Sequence, residues 1–305
     1  MNREKAILLG PFVGEFFWSF FRFAPILPYL RLTKYKGRTD IKYIVYTRPE
    51  RFDLYGKYAD ILIPLNIEGD SVELLGNCYR LEKLSEKQYK NLIKNFYNTY
   101  KERFNIIEHI YPKIDKKNFL NKNQFNQKQM VFKYSPRKDN YDLVKKYILN
   151  DKPLVILAPR YRIGFKRNWP YWQKLYDMIH DSSLINDFNF VICGKNLEYI
   201  PDNKNRFKDI NNILLTKNSS LAGLLIAVLE ESVFCTGSQS ALPNMALFFK
   251  TPVLEWGHQK TLHTKNYNIN NTTIEFIEDR KYNISPTEVF KRLRKTLIKK
   301  IKKEN

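Results

Sequence analysis

The feature that most constrains this chain is a pattern met twice: a short apolar strand, a loop marked by glycine, then a helical stretch. Residues 6–10 (Ala-Ile-Leu-Leu-Gly) are an apolar run ending in glycine, followed by the loop Pro11-Phe12-Val13-Gly14 and an apolar helical stretch from about Glu15. The pattern continues with a strand at Tyr43–Tyr46, a helix from about Pro49 to Tyr58 and a strand at Ile61–Pro64. Ser85-Glu86-Lys87-Gln88 then has the form of a capping box ahead of Tyr89, Leu92, Ile93, Phe96, Tyr97 and Tyr100, which share one helical face.

A second series opens at Pro153. Strands are expected at Pro153–Ala158, Phe188–Cys193, Ile213–Leu215, Val233–Thr236 and Pro252–Trp256, with helices at Tyr171–His180, Ser220–Leu229 and about Ser240–Phe249. Between the two series, from about Tyr111 to Asp151, the composition turns to Lys, Asn, Gln and scattered aromatics, and the domain connection is expected there. Two strand–helix series predict an α/β chain of two doubly wound domains facing across a cleft, with ligands at the carboxyl ends of the strands. The expected divisions are 1–140, 141–285 and a basic amphipathic C-terminal helix over 286–305.

Composition narrows the classes. The chain has 305 residues, 43% of them hydrophobic and 15% aromatic, enough for two cores and too apolar for a disordered polycation. Cys78, Cys193 and Cys235 form no CxxC pair, which argues against a disulfide framework or a thiolate metal site and fits a reducing, cytoplasmic compartment. The apolar stretch Phe12–Leu30 contains Glu15, Arg22, Pro25 and Pro28 and reads as folded structure, not as a signal or membrane span. Net charge is +21, and the segment Lys291–Asn305 holds eight Lys/Arg against one Glu. Phe290, Leu293, Leu297, Ile298 and Ile301 line one face of that segment, giving either a packed helix with a solvated basic face or a contact for an anionic surface.

Three segments could carry chemistry. In Val233-Phe-Cys-Thr-Gly-Ser-Gln-Ser a strand ends at Thr236, Gly237 frees the backbone, and Ser238 and Ser240 stand where a helix begins. Free N–H groups and the helix dipole there suit a pyrophosphate, although a serine at a helix start is also an ordinary N-cap. In Leu157-Ala-Pro-Arg-Tyr-Arg-Ile-Gly-Phe-Lys-Arg, the side chains of Arg160, Arg162, Lys166 and Arg167 follow a strand end, where cations would neutralise a departing diphosphate or simply form a solvated loop. Gly14-Glu15 follows the first strand; the carboxylate either acts as a general base on a hydroxyl or complements the helix dipole. His258 and His263 follow a strand end and could contact ligand, whereas His109 and His180 have no metal-ligand spacing. No DxD-type acidic pair that would hold a divalent ion is evident.

The order of these parts resembles the GT-B glycosyltransferases, especially the heptosyltransferase-like group, glycosyltransferase family 9. The parts are the Gly-acidic loop after the first strand, the Pro-Arg loop with Trp169 before a helix, Cys193-Gly194-Lys195, Leu221-Ala-Gly, Thr-Gly-Ser-x-Ser-Ala and Pro252-Val-Leu. The resemblance spans nearly the whole chain and implies two Rossmann-like domains. It makes Glu15, where the family usually has Asp, the catalytic base. By the same resemblance Arg160 and Lys166 face the donor phosphates, Gly194, Lys195 and Glu198 lie near the nucleoside, and Thr236, Gly237, Ser238 and Ser240 hold the diphosphate.

What the resemblance implies is an inverting, metal-independent transferase that carries a sugar from a nucleoside-diphosphate sugar to a hydroxyl, with no permanently bound cofactor. Gly14, His258 and His263 would then line the acceptor side, and Arg162 would join the donor contacts. A cell-surface glycan or lipid-linked glycolipid precursor is the leading acceptor, with the C-terminal basic helix resting peripherally on an anionic inner leaflet. The alternative acceptor is duplex DNA bearing a hydroxymethylated pyrimidine, which the basic, aromatic stretch Phe119–Arg137 would suit. A non-catalytic nucleotide or nucleic-acid binding protein is the third reading.

Overall fold

The computed structural model describes residues 3–13, 19–66, 84–115, 119–120, 134, 138–146, 152–160, 168–193, 208–209, 221–258 and 268–304. The chain divides into two compact units, one comprising 1–137 with 219–223, the other 138–218 with 224–305. Among the described residues no helix is long and apolar enough to cross a membrane.

The first unit is built on four parallel strands: β1 (Lys5–Phe12), β2 (Ile41–Thr47), β3 (Ile61–Pro64) and β4 (Asn105–Ile110), in the order β3-β2-β1-β4. β1 is buried almost throughout, as its unbroken apolar run requires of a central parallel strand. After it the chain forms α1 (Ile26–Tyr29), flanked by wider turns at Ser19–Phe23 and Leu30–Lys34, where Ala24 N–H reaches Ser19 O and Tyr35 N–H reaches Leu30 O, each at 2.8 Å. Pro25 and Pro28 have no N–H to give, so the regular i→i−4 ladder is interrupted and the turns widen. A tight turn at Pro49–Leu54 follows β2.

Helix α2 (Glu86–Lys101) begins at the expected capping box. Ser85 Oγ accepts from Gln88 N–H at 3.2 Å, and Gln88 Oε1 accepts from Ser85 N–H at 2.8 Å. The helix lays Phe96 and Tyr100 on Ala6, Leu8 and Ile44 of the sheet, while Tyr89 packs with Val13 and Leu65. β5 (Ile114–Asp115) and β6 (Phe119–Leu120) form a small antiparallel pair.

The second unit starts with α3 (Lys138–Lys145) and carries six parallel strands: β7 (Leu154–Ala158), β8 (Asn189–Ile192), β9 (Lys208–Asp209), β10 (Ser232–Ser238), β11 (Val253–Gly257) and β12 (Ile274–Glu278). The sheet runs β12-β11-β10-β7-β8-β9. Counted from β7, this is strand order 3-2-1-4-5-6 read from the other edge, the doubly wound order in which the winding reverses between the first and fourth strands. The expected strand at Ile213–Leu215 lies outside the described residues.

Helices α4 (Trp172–His180), α5 (Leu184–Asp187), α6 (Leu221–Glu231, from Leu224 on), α7 (Ala241–Phe248) and α8 (Pro286–Glu304) complete the unit. One face of the sheet holds a single large core in which Trp169, Trp172 and Trp256 meet, the Trp169 and Trp256 centroids 4.8 Å apart. Val289, Leu293 and Leu297 of α8 are fully buried in that core. At about 1.5–3 kcal/mol for each such side chain, releasing α8 is costly, so its apolar face is committed to this unit and only its basic face is presented outward.

Candidate functional site

The site is best built from β7 and β10, the two strands between which the winding reverses. At such a switch point the following loops part to opposite sides of the sheet and leave a crevice at the strand ends. Arg160 leaves the end of β7, and Gly237 to Ser240 close β10 and open α7. The two loops are joined: Arg160 Nη1 donates to the Gln239 carbonyl at 2.8 Å.

Gly237 pairs with Ala158 on one side and Glu255 on the other. A Cβ at this position would lie 2.7 Å from the Ala158 carbonyl oxygen, 2.8 Å from Ala158 Cβ and 3.2 Å from Pro243 Cγ. Glycine is therefore what lets α7 sit directly over the ends of β7 and β10. The pleat sends Thr236 and Ser238 to the opposite face, the one that carries Phe234 and the tryptophans. Both are fully buried, and among the described residues neither hydroxyl has a hydrogen-bond partner.

Ser240 is the N-cap residue of α7, with extended backbone (φ −155°, ψ −175°), and its side chain makes no capping bond. Its carbonyl accepts from Asn244 Nδ2 at 2.7 Å. Pro243, third in the helix, has no N–H. The backbone donors of the first turn are thus the N–H groups of Ala241 and Leu242, at the positive end of the helix dipole and without a side chain from Ser240 over them. Arg160, anchored one residue before that cap, adds a guanidinium to the same place. Two sources of positive potential converge on one strand end, an arrangement that attracts a phosphate or pyrophosphate.

The loop is held from its far side as well. Gln239 N–H donates to Trp256 O at 2.8 Å, and Tyr282 Oη donates to Gln239 Oε1 at 3.2 Å. Gly257, at the end of β11, leaves room for the Gln239 side chain, whose Cβ would lie 2.7 Å from any Cβ added there. Sequence reasoning passed over Gln239, Asn244 and Tyr282. The first two stand within the motif; Tyr282 lies more than forty residues on, and its role depends on packing. Burial pushes the Cys235 thiol well above its ordinary pKa, and Cys193 and Glu255 push it the same way, so it stays protonated and is no nucleophile.

Of the residues expected at the site, Arg160, Gly237 and Ser240 are gathered at this strand end, whereas the hydroxyls of Thr236 and Ser238, expected to hold the diphosphate, are buried on the face of the tryptophans. His258 follows β11 and is exposed. Gly14, Glu15, Arg162, Lys166, Gly194, Lys195, Glu198 and His263 lie outside the described residues. In the first unit the corresponding reversal falls between β1 and β4, where His109 Nε2–H donates to the Gly10 carbonyl at 2.9 Å. Gly10 itself has φ 106°, where a side chain would strike the Tyr46 carbonyl. Burial lowers the His109 pKa, which the bond to Gly10 partly offsets, so the ring is held neutral as a donor. Among the described residues no group of three or more His, Cys, Asp or Glu could hold a metal ion.

Solved structures with the same arrangement of elements are known. A family 9 glycosyl transferase from Veillonella parvula matches with a TM-score of 0.61 at 11% identity over 98% of each chain. The ADP-heptose LPS heptosyltransferase II of E. coli matches with a TM-score of 0.57 at 12% identity, over 98% of this chain and 99% of that one. The chain shares their fold. A further E. coli heptosyltransferase, solved with ADP, matches with a TM-score of 0.50 at 9% identity over 95% of this chain and 99% of that one. No family model and no curated protein matches the sequence. The α/β class with two doubly wound sheets, expected from the two strand–helix series, is thus the GT-B fold.

Proposed function

We propose that this protein is a glycosyltransferase that moves a sugar from a nucleoside-diphosphate sugar to a hydroxyl acceptor. The observation that carries the reading is the strand end of the second unit, where Arg160 is anchored beside the uncapped start of α7 at the reversal of a 3-2-1-4-5-6 sheet. The bond between the anomeric carbon and the diphosphate breaks with both electrons going to the diphosphate oxygen. The helix N-terminus and Arg160, with Arg162 and Lys166 from the same loop, receive that charge as it develops, so no metal is called for. Two E. coli heptosyltransferase structures of this fold, solved with ADP and with ADP-2-deoxy-2-fluoro heptose, support a nucleoside-diphosphate donor.

Glu15, just past the β1 strand end, is the base that takes the acceptor proton as the hydroxyl oxygen attacks the anomeric carbon from the face opposite the leaving group, which inverts the configuration. Gly194, Lys195 and Glu198 follow β8 and meet the nucleoside. The acceptor is a glycan or glycolipid precursor, a reading supported by the exposed basic side chains Lys291, Arg294, Lys295 and Lys299 of α8, which suit an anionic surface. Incubation with a panel of nucleotide sugars tests the chemistry. Glu15→Gln should abolish transfer and the slow hydrolysis of the donor while leaving donor binding unchanged; full turnover in that variant would remove Glu15 as the base.

A further inference from the structure

The carboxyl end of β2, in the first unit, holds a second basic feature. Arg48 follows Thr47, which pairs with Phe12 of β1 and Pro64 of β3, so it stands at the ligand end of three parallel strands. Arg48 is nevertheless buried, its side chain only 5% exposed. Its backbone is fixed by the tight turn that follows, in which Arg51 N–H donates to the Arg48 carbonyl at 3.0 Å. Arg51 in the same turn is fully buried as well, and its Nη1 donates to Ser19 Oγ at 2.6 Å.

The atoms of Arg48 are not used equally. Nη1 meets Glu50 Oε1 at 3.5 Å, a long contact to a carboxylate that is itself 27% exposed. Nε and Nη2 are buried, and among the described residues neither has a partner. These two nitrogens form the side-on edge of the guanidinium, the edge whose parallel N–H groups match the two oxygens of a carboxylate or phosphate. A buried donor pair with nothing to donate to destabilises the free protein, and an oxyanion that reaches it recovers that loss.

We infer that the Nε–Nη2 edge of Arg48 is the receptor of an oxyanion-binding site in the first unit, taking a carboxylate or phosphate group. The site stands on the geometry of this unit alone. That the oxyanion belongs to the acceptor rests on the transferase reading above, in which Glu15, just past β1 of this unit, takes the acceptor proton. Arg48 then selects acceptors that carry an acid group and takes no part in the bond-breaking step.

The test titrates the full-length protein and its Arg48→Met and Arg48→Lys variants with inorganic phosphate and, separately, with acetate, against chloride at constant ionic strength. At ten times the Kd, the wild-type melting temperature should rise by about 3 °C more than that of Arg48→Met. Arg48→Lys, which keeps the charge and loses the fork, should behave like Arg48→Met, and it decides the test alone if Arg48→Met does not fold. Tight, Arg48-dependent phosphate binding marks free phosphate as the ligand. Weak, Arg48-dependent binding of both anions marks an acid group borne on a larger acceptor, for which these ions are fragments. An equal response in all three proteins, or none in the wild type, overturns the site. Nucleoside-diphosphate binding is measured in the same samples: its absence beside an intact Arg48 response would remove the transferase reading and leave the oxyanion site standing.

Discussion

Helices α2 and α7 both start at a serine, and only one of those serines caps its helix. Ser85 and Gln88 exchange two bonds and close the start of α2 from within. Ser240 makes no such bond at the start of α7. The cause lies three residues further on, where α2 has Gln88 and α7 has Pro243. Glutamine offers an N–H to the serine and a side-chain oxygen to reach back; proline offers neither. A helix start that is finished by its own side chains is structural, and one left unfinished at a sheet's reversal point has donors to spare for a ligand.

The largest effect should come from Gly237→Ala. The added methyl meets the Ala158 carbonyl and Cβ at distances no packed carbon adopts, so α7 must shift off the strand ends. Stability should fall by about 1–3 kcal/mol in a denaturant titration, with nucleotide binding lost even where the fold survives. If Gly237→Ala binds nucleotide normally, the close seating of α7 is not what builds the site.

The comparison of the serines can be tested directly. Ser85→Ala should cost about 1 kcal/mol of stability, and Ser240→Ala less than about 0.5 kcal/mol, because no capping bond is lost there. Equal costs would mean that Ser240 caps α7 in solution.

The smallest effect concerns the first unit's own reversal point. His109 has its pKa lowered from 6.5 by burial, so the folded protein binds fewer protons than the unfolded chain below that value. Its contribution to stability is complete above pH 6.5 and is lost as pH falls through 6.5 toward the lowered value. A stability profile from pH 8 to 5 should slope downward in that window, and His109→Asn should remove that part of the slope; an unchanged profile would contradict the burial argument.

Much of the fold was legible because its central strands are continuous apolar runs. β1, β2, β7, β10 and β11 each stand out as buried runs between loops, and the β10 motif marked the strand end that gathers Arg160, Gly237 and Ser240. Of the edge strands, β3 was legible at Ile61–Pro64 and β4, β9 and β12 were not. β4 reads Asn-Ile-Ile-Glu-His-Ile, and its Glu108 is held by Lys34 and Tyr35, more than seventy residues away, so nothing local signals a strand. α3 lies in the polar stretch expected to be only a connection, and the widened turns beside α1 came from two prolines whose effect is on hydrogen bonding rather than on hydrophobic period. Arg48 was missed for a different reason: Arg-Pro-Glu-Arg stands at the expected start of a helix from about Pro49, where cations are ordinarily solvated, and only packing reveals that two of its charges are buried.

The most direct test of the diphosphate site is calorimetric titration of the wild-type protein and of Arg160→Ala with ADP, UDP, GDP and dTDP. One of these nucleotides should bind at one site per chain, and Arg160→Ala should weaken it by about 10- to 100-fold through loss of a charge-assisted contact, with the fold intact. Absence of binding by any of the four, or equal affinity in the two proteins, would contradict the claim that the switch point of the second unit is a diphosphate site.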